Sequence, residues 1–182
     1  MKRPAVFLDR DGTIVEEVNY LSRIEDLRLF HYSLDAIRSL KENGFRVIVV
    51  TNQSGIGRGI YTEQAMHAIH ARMQEELDGA IDGFYFCPHH PEECCKCRKP
   101  GIGMFESARD DLDIDLNASW MVGDKKLDVD AGRNAGMATI LVLTGYGREH
   151  RFDIDDPPNY VEENLAAAAE RIISDQILNG ER

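Results

Sequence analysis

Apolar and polar positions along this chain alternate between two rhythms. Residues 5–9 (AVFLD), 45–51 (FRVIVVT), 83–87 (GFYFC), 120–123 (WMVG) and 138–143 (ATILVL) are short, nearly continuous apolar runs. Such runs fit strands buried on both faces. Between them apolar residues recur at three- and four-residue intervals. Leu34, Ile37 and Leu40 mark a helix over 33–43, with Gly44 as its stop. Thr62 opens the next helix, with Glu63 and Gln64 in its first turn and Met66, Ile69, Met73 and Leu77 along its apolar stripe. Further helices are predicted over 104–112, from about 127 to 134, and over an Ala-rich 162–178. Alternating strands and helices predict an α/β fold: a doubly wound, mainly parallel sheet with helices on both faces. No repeat, low-complexity tract or Ser/Gly linker divides the 182 residues, so one domain over 1–182 is expected.

Open parallel sheets bind ligands beyond the carboxyl ends of their strands. Asp9, Thr51 and Cys87 end three of the predicted strands, and Asp124 follows a fourth. In DRDGT, strand alternation puts Asp9 and Asp11 on one side and points Arg10 elsewhere. Adjacent carboxylates repel, and the pair persists with a cation or a shared proton between them. Magnesium suits such a place, since it takes one or two carboxylates together with phosphate and water. Asp124 is the natural second carboxylate, and Gly12 lets the backbone turn tightly against a ligand. Thr51 and Asn52 offer hydroxyl and amide donors to a phosphoryl oxygen, and Lys99 offers a point positive charge. Together these are the parts of a phosphoryl-transfer site with an aspartate nucleophile.

The composition narrows the partners. With 21 basic and 32 acidic residues the net charge is −11, which argues against a nucleic-acid or membrane-surface role. An anionic ligand then needs a local basic pocket or a metal. No apolar run approaches the roughly 20 residues of a membrane span. The opening MKRPAVFLDRDG reads as a strand rather than a signal peptide, so cytoplasm is expected. All four cysteines, Cys87, Cys94, Cys95 and Cys97, fall in CPHHPEECCKC. Crowding of this kind points to a metal site in a reducing compartment rather than to a disulfide framework. Cys87 and His89 followed by Cys95 and Cys97 make a tetrahedral zinc set with no open position, and Cys94 could replace Cys95. Its predicted task is structural: pinning the loop of about 87–100 that delivers Arg98 and Lys99. His67 and His70 sit at helical spacing without a third partner and read as exposed helix histidines, while His31 and His150 carry no argument.

DRDGT, TNQ at the end of a buried strand, RKP and GDKKLD together resemble the four motifs of the haloacid dehalogenase superfamily of phosphatases, over roughly residues 5–145. The resemblance implies a Rossmann-like fold in which Asp9 attacks phosphorus and Asp11 serves as acid, then base. It implies magnesium held by Asp9, the Asp11 backbone carbonyl and Asp124, with Thr51 and Lys99 on the transferred phosphoryl group. Asp128 supports the metal from behind or is a solvated helix-start acid; both stand open.

The C-x-C-R-K-P pattern is similar to that of zinc-containing members without a large cap, and it favours Cys95 as the ligand. Two groups of those members compete, one acting on heptose bisphosphates and one on histidinol phosphate. EEVNYLSRIEDLRLF, TNQSGIGRGIYTE and KPGIGMFESARDDLDID resemble the heptose group. That likeness implies a small phosphorylated sugar as ligand and a monomeric enzyme serving lipopolysaccharide or S-layer glycan synthesis. Glu17, Val18, Asn19, Tyr20, Thr51, Asn52, Gln53 and Ser54 would line the substrate. Arg98 would recognise the uncleaved phosphate, and Lys99 and Lys125 would contact substrate near the metal. Arg58 is read as a clamp or as a solvated loop charge, and Glu17 and Tyr20 as pocket or as flap packing. A reading of another class is a catalytically silent, zinc-stabilised binding protein.

Overall fold

The computed structural model describes residues 2–180. Its sheet is built from β1 (Ala5–Leu8), β2 (Arg46–Asn52), β3 (Gly83–Cys87), β4 (Trp120–Gly123), β5 (Ala138–Val142) and β6 (Tyr160–Glu162). All six strands are parallel, in the order β3-β2-β1-β4-β5-β6. The helices are α1 (Ser33–Glu42), α2 (Ser54–Gly57), α3 (Glu63–Glu76), α4 (Gly103–Leu112), α5 (Lys126–Asn134), α6 (Gly147–His150) and α7 (Leu165–Gly180). This is the doubly wound arrangement the sequence predicts.

The two-residue period of the strands sorts their side chains into two cores. Val6, Leu8, Val47, Val49, Val122 and Ile140 meet α1, α3 and α7 on one face. Ala5, Phe7, Ile48, Val50 and Met121 meet α4 and α5 on the other. Burial on both faces explains why these strands are continuous apolar runs. Thr62 caps α3 by accepting from the Ala65 N–H at 3.1 Å.

The sequence reading misplaces the start of the last helix and misses three short elements, β6, α2 and α6. Residue 162 does not open the last helix: it belongs to β6, where its carbonyl accepts from the Leu143 N–H at 2.9 Å, and α7 begins at Leu165. A three-residue strand is too short to show alternation, and the one-turn helices α2 and α6 are too short to show helical spacing. No helix among the described residues is long and apolar enough to cross a membrane.

Between β1 and α1 the chain doubles back as a flap, with Val15 bridged to Leu29 and the Glu16 N–H donating to the Arg28 carbonyl. The turn at its tip holds Asn19 (φ 50°) and Tyr20 (φ 69°) in the left-handed region, which costs an ordinary residue roughly 1 kcal/mol or more. Glu17 supports the turn by accepting from the Asn19 N–H at 2.8 Å.

Candidate active site

Strand order reverses between β1 and β4, so their carboxyl ends open the crevice in which ligands of such sheets sit. Asp9 follows β1 there, its N–H donating to the Val122 carbonyl at 2.9 Å. Asp124 follows β4 and Asp128 lies in the first turn of α5. Asp9, Asp124 and Asp128 bring carboxylate oxygens within 4.8 Å of one another, and all three are buried. Lys99 stands among them, its Nζ 2.9 Å from Asp9 Oδ1 and 2.7 Å from Asp128 Oδ1, and it also donates to the Val50 carbonyl at 2.8 Å. Burial of Asp128 removes its reading as a solvated helix-start acid. Its Oδ2 accepts from the Lys125 N–H at 3.0 Å, which ties the backbone at the start of α5.

The electrostatics follow from burial and pairing. Burial opposes the charged form of Asp9, but Lys99 and Lys125 together outweigh it and hold its pKa below the usual range. Burial likewise disfavours the Lys99 cation, yet Asp128 and Asp9 raise its pKa. For Asp124 burial prevails, and the carboxyl is pushed up to about 8. Its Oδ2 accepts from the Tyr146 N–H at 2.8 Å, while its Oδ1 is buried without a hydrogen-bond partner. Gly12 and Gly145 make the close approach: a Cβ on either would lie 2.3 or 2.2 Å from Asp124 Oδ2. Three clustered carboxylates, one with an orphaned oxygen, fit a hard divalent cation such as magnesium.

Asp11 takes a different place from that cluster. β1 ends at Leu8, so residues 9–11 are past the ladder and strand alternation no longer governs them. Arg10 therefore does not point away: it is buried, and its Nε and Nη2 donate to the two Asp11 oxygens at 3.1 and 3.0 Å. The cations that let Asp9 and Asp11 coexist come from the protein, Lys99 for one and Arg10 for the other.

Above this centre opens a cleft of about 230 Å³ lined by Asp9, Asp11, Glu17, Asn19, Tyr20, Thr51, Asn52, Gln53, Ser54, Arg98, Lys99 and Lys125. Those residues were all predicted. Asp128, read from the sequence as a metal support or a solvated acid, lines it too, and Arg10, Leu21, Tyr61, Leu127 and Tyr146 line it without a sequence signal for that place. Val18 does not line it; it is 40% exposed and faces a hollow with Asp26 and Arg28, because the left-handed turn that follows carries Asn19 and Tyr20 inward instead. Arg58 is exposed beyond α2 and outside the cleft, the solvated-charge reading. Lys125 reaches Glu17 at 3.2 Å and lies 4.9 Å from the centre of the Tyr146 ring. Asn52 holds the Lys99 backbone from both sides, accepting from its N–H at 3.0 Å and donating to its carbonyl at 3.2 Å.

Just past β3, Cys87, His89, Cys95 and Cys97 converge. Cys87 Sγ lies 3.4 Å from Cys95 Sγ and 3.5 Å from His89 Nδ1; Cys97 Sγ lies 3.4 Å from Cys95 Sγ and 3.2 Å from His89 Nδ1. A zinc–sulfur bond of about 2.3 Å sets tetrahedral edges near 3.8 Å, so the four donors fit one zinc ion. Cys94 is exposed and outside this group. Arg98 and Lys99 follow Cys97 directly, as expected of a pinned loop.

One histidine differs from its sequence reading. His70 is buried, 4% exposed, on the inner face of α3, whereas His67 is exposed as predicted and lies 3.4 Å from Glu63. The signal was present, since 66, 69, 70 and 73 form one helical face. His150 Nδ1 accepts from the Lys126 N–H at 3.1 Å and so caps the start of α5 from α6.

This fold and this carboxylate–lysine centre define a hydrolase of the haloacid dehalogenase kind, and a family model described as HAD-hydrolase-like matches residues 96–168. The chain is 43% identical to D-glycero-D-manno-heptose-1,7-bisphosphate 7-phosphatase of Thermosynechococcus vestitus over 94% of its own length and 96% of the relative's. It is 46% identical to D-glycero-beta-D-manno-heptose-1,7-bisphosphate 7-phosphatase of Escherichia coli K12 over 78% and 80%. The crystal structure of D,D-heptose 1,7-bisphosphate phosphatase from B. bronchiseptica, complexed with magnesium and phosphate, matches with a TM-score of 0.88 at 34% identity, covering 94% of this chain and 99% of that one. The chain belongs to this family of heptose-bisphosphate 7-phosphatases and is a phosphomonoester hydrolase.

Proposed function

We propose that this enzyme removes the 7-phosphate of D-glycero-D-manno-heptose 1,7-bisphosphate through an aspartyl-phosphate on Asp9. The observation that carries the reading is the buried Asp9 carboxylate at the base of the cleft, kept ionised by Lys99, with the Asp11 carboxyl two residues on at the wall. Asp9 attacks phosphorus, the bond from phosphorus to the sugar oxygen breaks, and Asp11 gives that oxygen its proton. Asp11 then takes a proton from the water that attacks phosphorus, which releases inorganic phosphate and restores Asp9. Thr51, Lys99 and nearby backbone N–H groups hold the transferred phosphoryl oxygens. Magnesium, held by Asp9, the Asp11 carbonyl and Asp124 with Asp128 behind, supplies charge neutralisation for the phosphoryl group. Zinc on Cys87, His89, Cys95 and Cys97 fixes the loop that presents Arg98 and Lys99.

Arg98 and Lys125 flank the cleft of an acidic protein, which suits a second phosphate better than the cationic groups of histidinol phosphate. Asn19, Tyr20, Asn52 and Ser54 supply contacts to the sugar. We place the enzyme in the cytoplasm as a monomer of one domain, its product heptose 1-phosphate feeding nucleotide-activated heptose for lipopolysaccharide or S-layer glycans.

The test is initial-rate phosphate release with magnesium on both anomers of the bisphosphate and on histidinol phosphate. A preference of at least a hundredfold in kcat/KM for the heptose substrate is expected; preference for histidinol phosphate overturns the substrate. Asp9→Asn should abolish turnover while zinc content and Tm persist. Surviving activity in the variant refutes the aspartyl-phosphate; no turnover of any substrate by the parent protein would instead favour the binding role.

A further inference from the structure

Behind Asp11 lies a buried set of polar groups that the phosphatase reading leaves without a task. Gln53 Nε2 donates to Thr51 Oγ1 at 2.8 Å and to Asp11 Oδ2 at 3.1 Å, while its Oε1 accepts from Arg10 Nη2 at 3.1 Å and from the Tyr61 hydroxyl. A primary amide has two N–H donors and two lone pairs on oxygen, and here all four are used. Turning the amide over would set its NH₂ against a guanidinium and its oxygen against a carboxylate, so one orientation is fixed. Gly55 leaves the space for Tyr61, since a Cβ there would lie 2.2 Å from the ring.

Arg10 carries the set deeper. Its Nη1 lies 3.4 Å from Nε2 of His70, sixty positions away on α3. A guanidinium can only donate, so Nε2 is the acceptor and the ring proton sits on Nδ1. Burial, then the Arg10 charge, push the imidazole pKa down to about 3, so the ring is neutral. Nδ1 is buried without a hydrogen-bond partner. The ring stacks on Phe84 at 4.6 Å between centroids. A leucine or phenylalanine would fill that place without burying an unpaired donor, so packing alone does not account for the histidine.

We infer that Gln53, Tyr61 and His70 are positioning residues that with Arg10 form a bracket, His70 acting through Arg10 and Tyr61 through Gln53, aiming the Asp11 carboxyl at the leaving oxygen and keeping it out of the Asp9, Asp124 and Asp128 cluster. The inference rests on the reading of Asp11 as the acid. Its consequence concerns the leaving group. An alkyl phosphate such as the sugar ester sheds an alkoxide that needs the Asp11 proton as the bond to phosphorus breaks. A p-nitrophenyl ester sheds a stable phenolate that leaves without it. Misaimed acid therefore harms the first reaction far more than the second, whereas general damage to the fold or to phosphoryl binding harms both alike.

The experiment compares kcat/KM on heptose 1,7-bisphosphate and on p-nitrophenyl phosphate, with magnesium, for the parent enzyme and for Asp11→Asn, His70→Phe, His70→Gln and Tyr61→Phe. His70→Phe keeps a ring on Phe84 but removes the acceptor; it should lose at least tenfold on the sugar ester and less than threefold on the aryl ester. His70→Gln returns an acceptor near the Nε2 position and should recover most of the loss. Tyr61→Phe should discriminate in the same direction and tests the bracket independently if His70→Phe does not fold. If Asp11→Asn separates the two substrates while His70→Phe and Tyr61→Phe do not, the bracket is refuted alone. If Asp11→Asn lowers both equally, the acid role itself fails and the inference falls with it.

Discussion

Asp124 shows how much one side chain can be made to depend on an ion. It is fully buried, one oxygen has no hydrogen-bond partner, and two glycine backbones press against the other. Its pKa of about 8 in the folded chain lies far above the ordinary 3.8 expected once unfolded. Between those values the metal-free folded state binds the extra proton, so its stability falls as pH rises through that window. A cation that replaces the proton removes this loss. The increase in Tm on adding magnesium should therefore grow from pH 6 to pH 8.5, and the growth should vanish in Asp124→Asn; a constant increment in the parent enzyme contradicts the account. Gly145→Ala is expected to raise the magnesium concentration for half-maximal rate at least tenfold. Its Cβ would lie 2.2 Å from Asp124 Oδ2 and its φ of 52° disfavours a side chain, so the carboxylate must move. Unchanged magnesium dependence in that variant would show that the carboxylate tolerates the shift.

Among the elements, the loop between β3 and α4 joins the sheet edge to Lys99, which stands among the buried carboxylates. Cys87 ends β3, and Asn52 at the end of β2 clasps the Lys99 backbone at the far end of the loop. Cys97→Ser should lower kcat by tenfold or more, lower Tm and release metal, because the loop loses a fixed point beside Arg98 and Lys99. Cys94→Ser should leave metal content, Tm and rate as they were, its side chain being exposed and outside the cluster. Full activity in a metal-free Cys97→Ser protein would separate the loop from catalysis. Much of this scale is legible in the sequence: strands buried on both faces announce themselves as apolar runs, and the convergence of Cys87, His89, Cys95 and Cys97 as a crowd of thiols. Contacts across the sheet are not legible. Arg10 turns back because the ladder stops at Leu8, and it meets His70, whose burial the α3 stripe does announce, from sixty positions away. Nothing near either residue in the chain records the other. Val18 is placed wrongly by simple adjacency, since a left-handed turn separates it from its neighbours.

For the molecule as a whole, the sheet divides two cores with different duties. The α4 and α5 side supports the metal loop and the acidic residues at the start of α5, while α7 closes the other side with Leu165, Ala168, Ala169 and Ile172 buried against the sheet and α1. Ile172→Ala should cost about 2–4 kcal/mol of stability in denaturant unfolding while leaving kcat unchanged at temperatures where the variant is folded. A matching loss of kcat would show that the two sides are coupled. The strand order has another bearing, on synthesis. Asp9 follows β1, the first strand of the sheet to be made, yet one of the two neighbours of β1 is β4, ending at Gly123, and the Lys99 partner of Asp9 lies ninety positions downstream. At roughly 5–20 residues per second, seconds pass on the ribosome between the emergence of Asp9 and that of the groups that complete it. Throughout that interval the nascent chain is a carboxylate without a reaction. Its setting is completed late and together, when β4 docks beside β1 and Tyr146, whose N–H holds Asp124, has also been made.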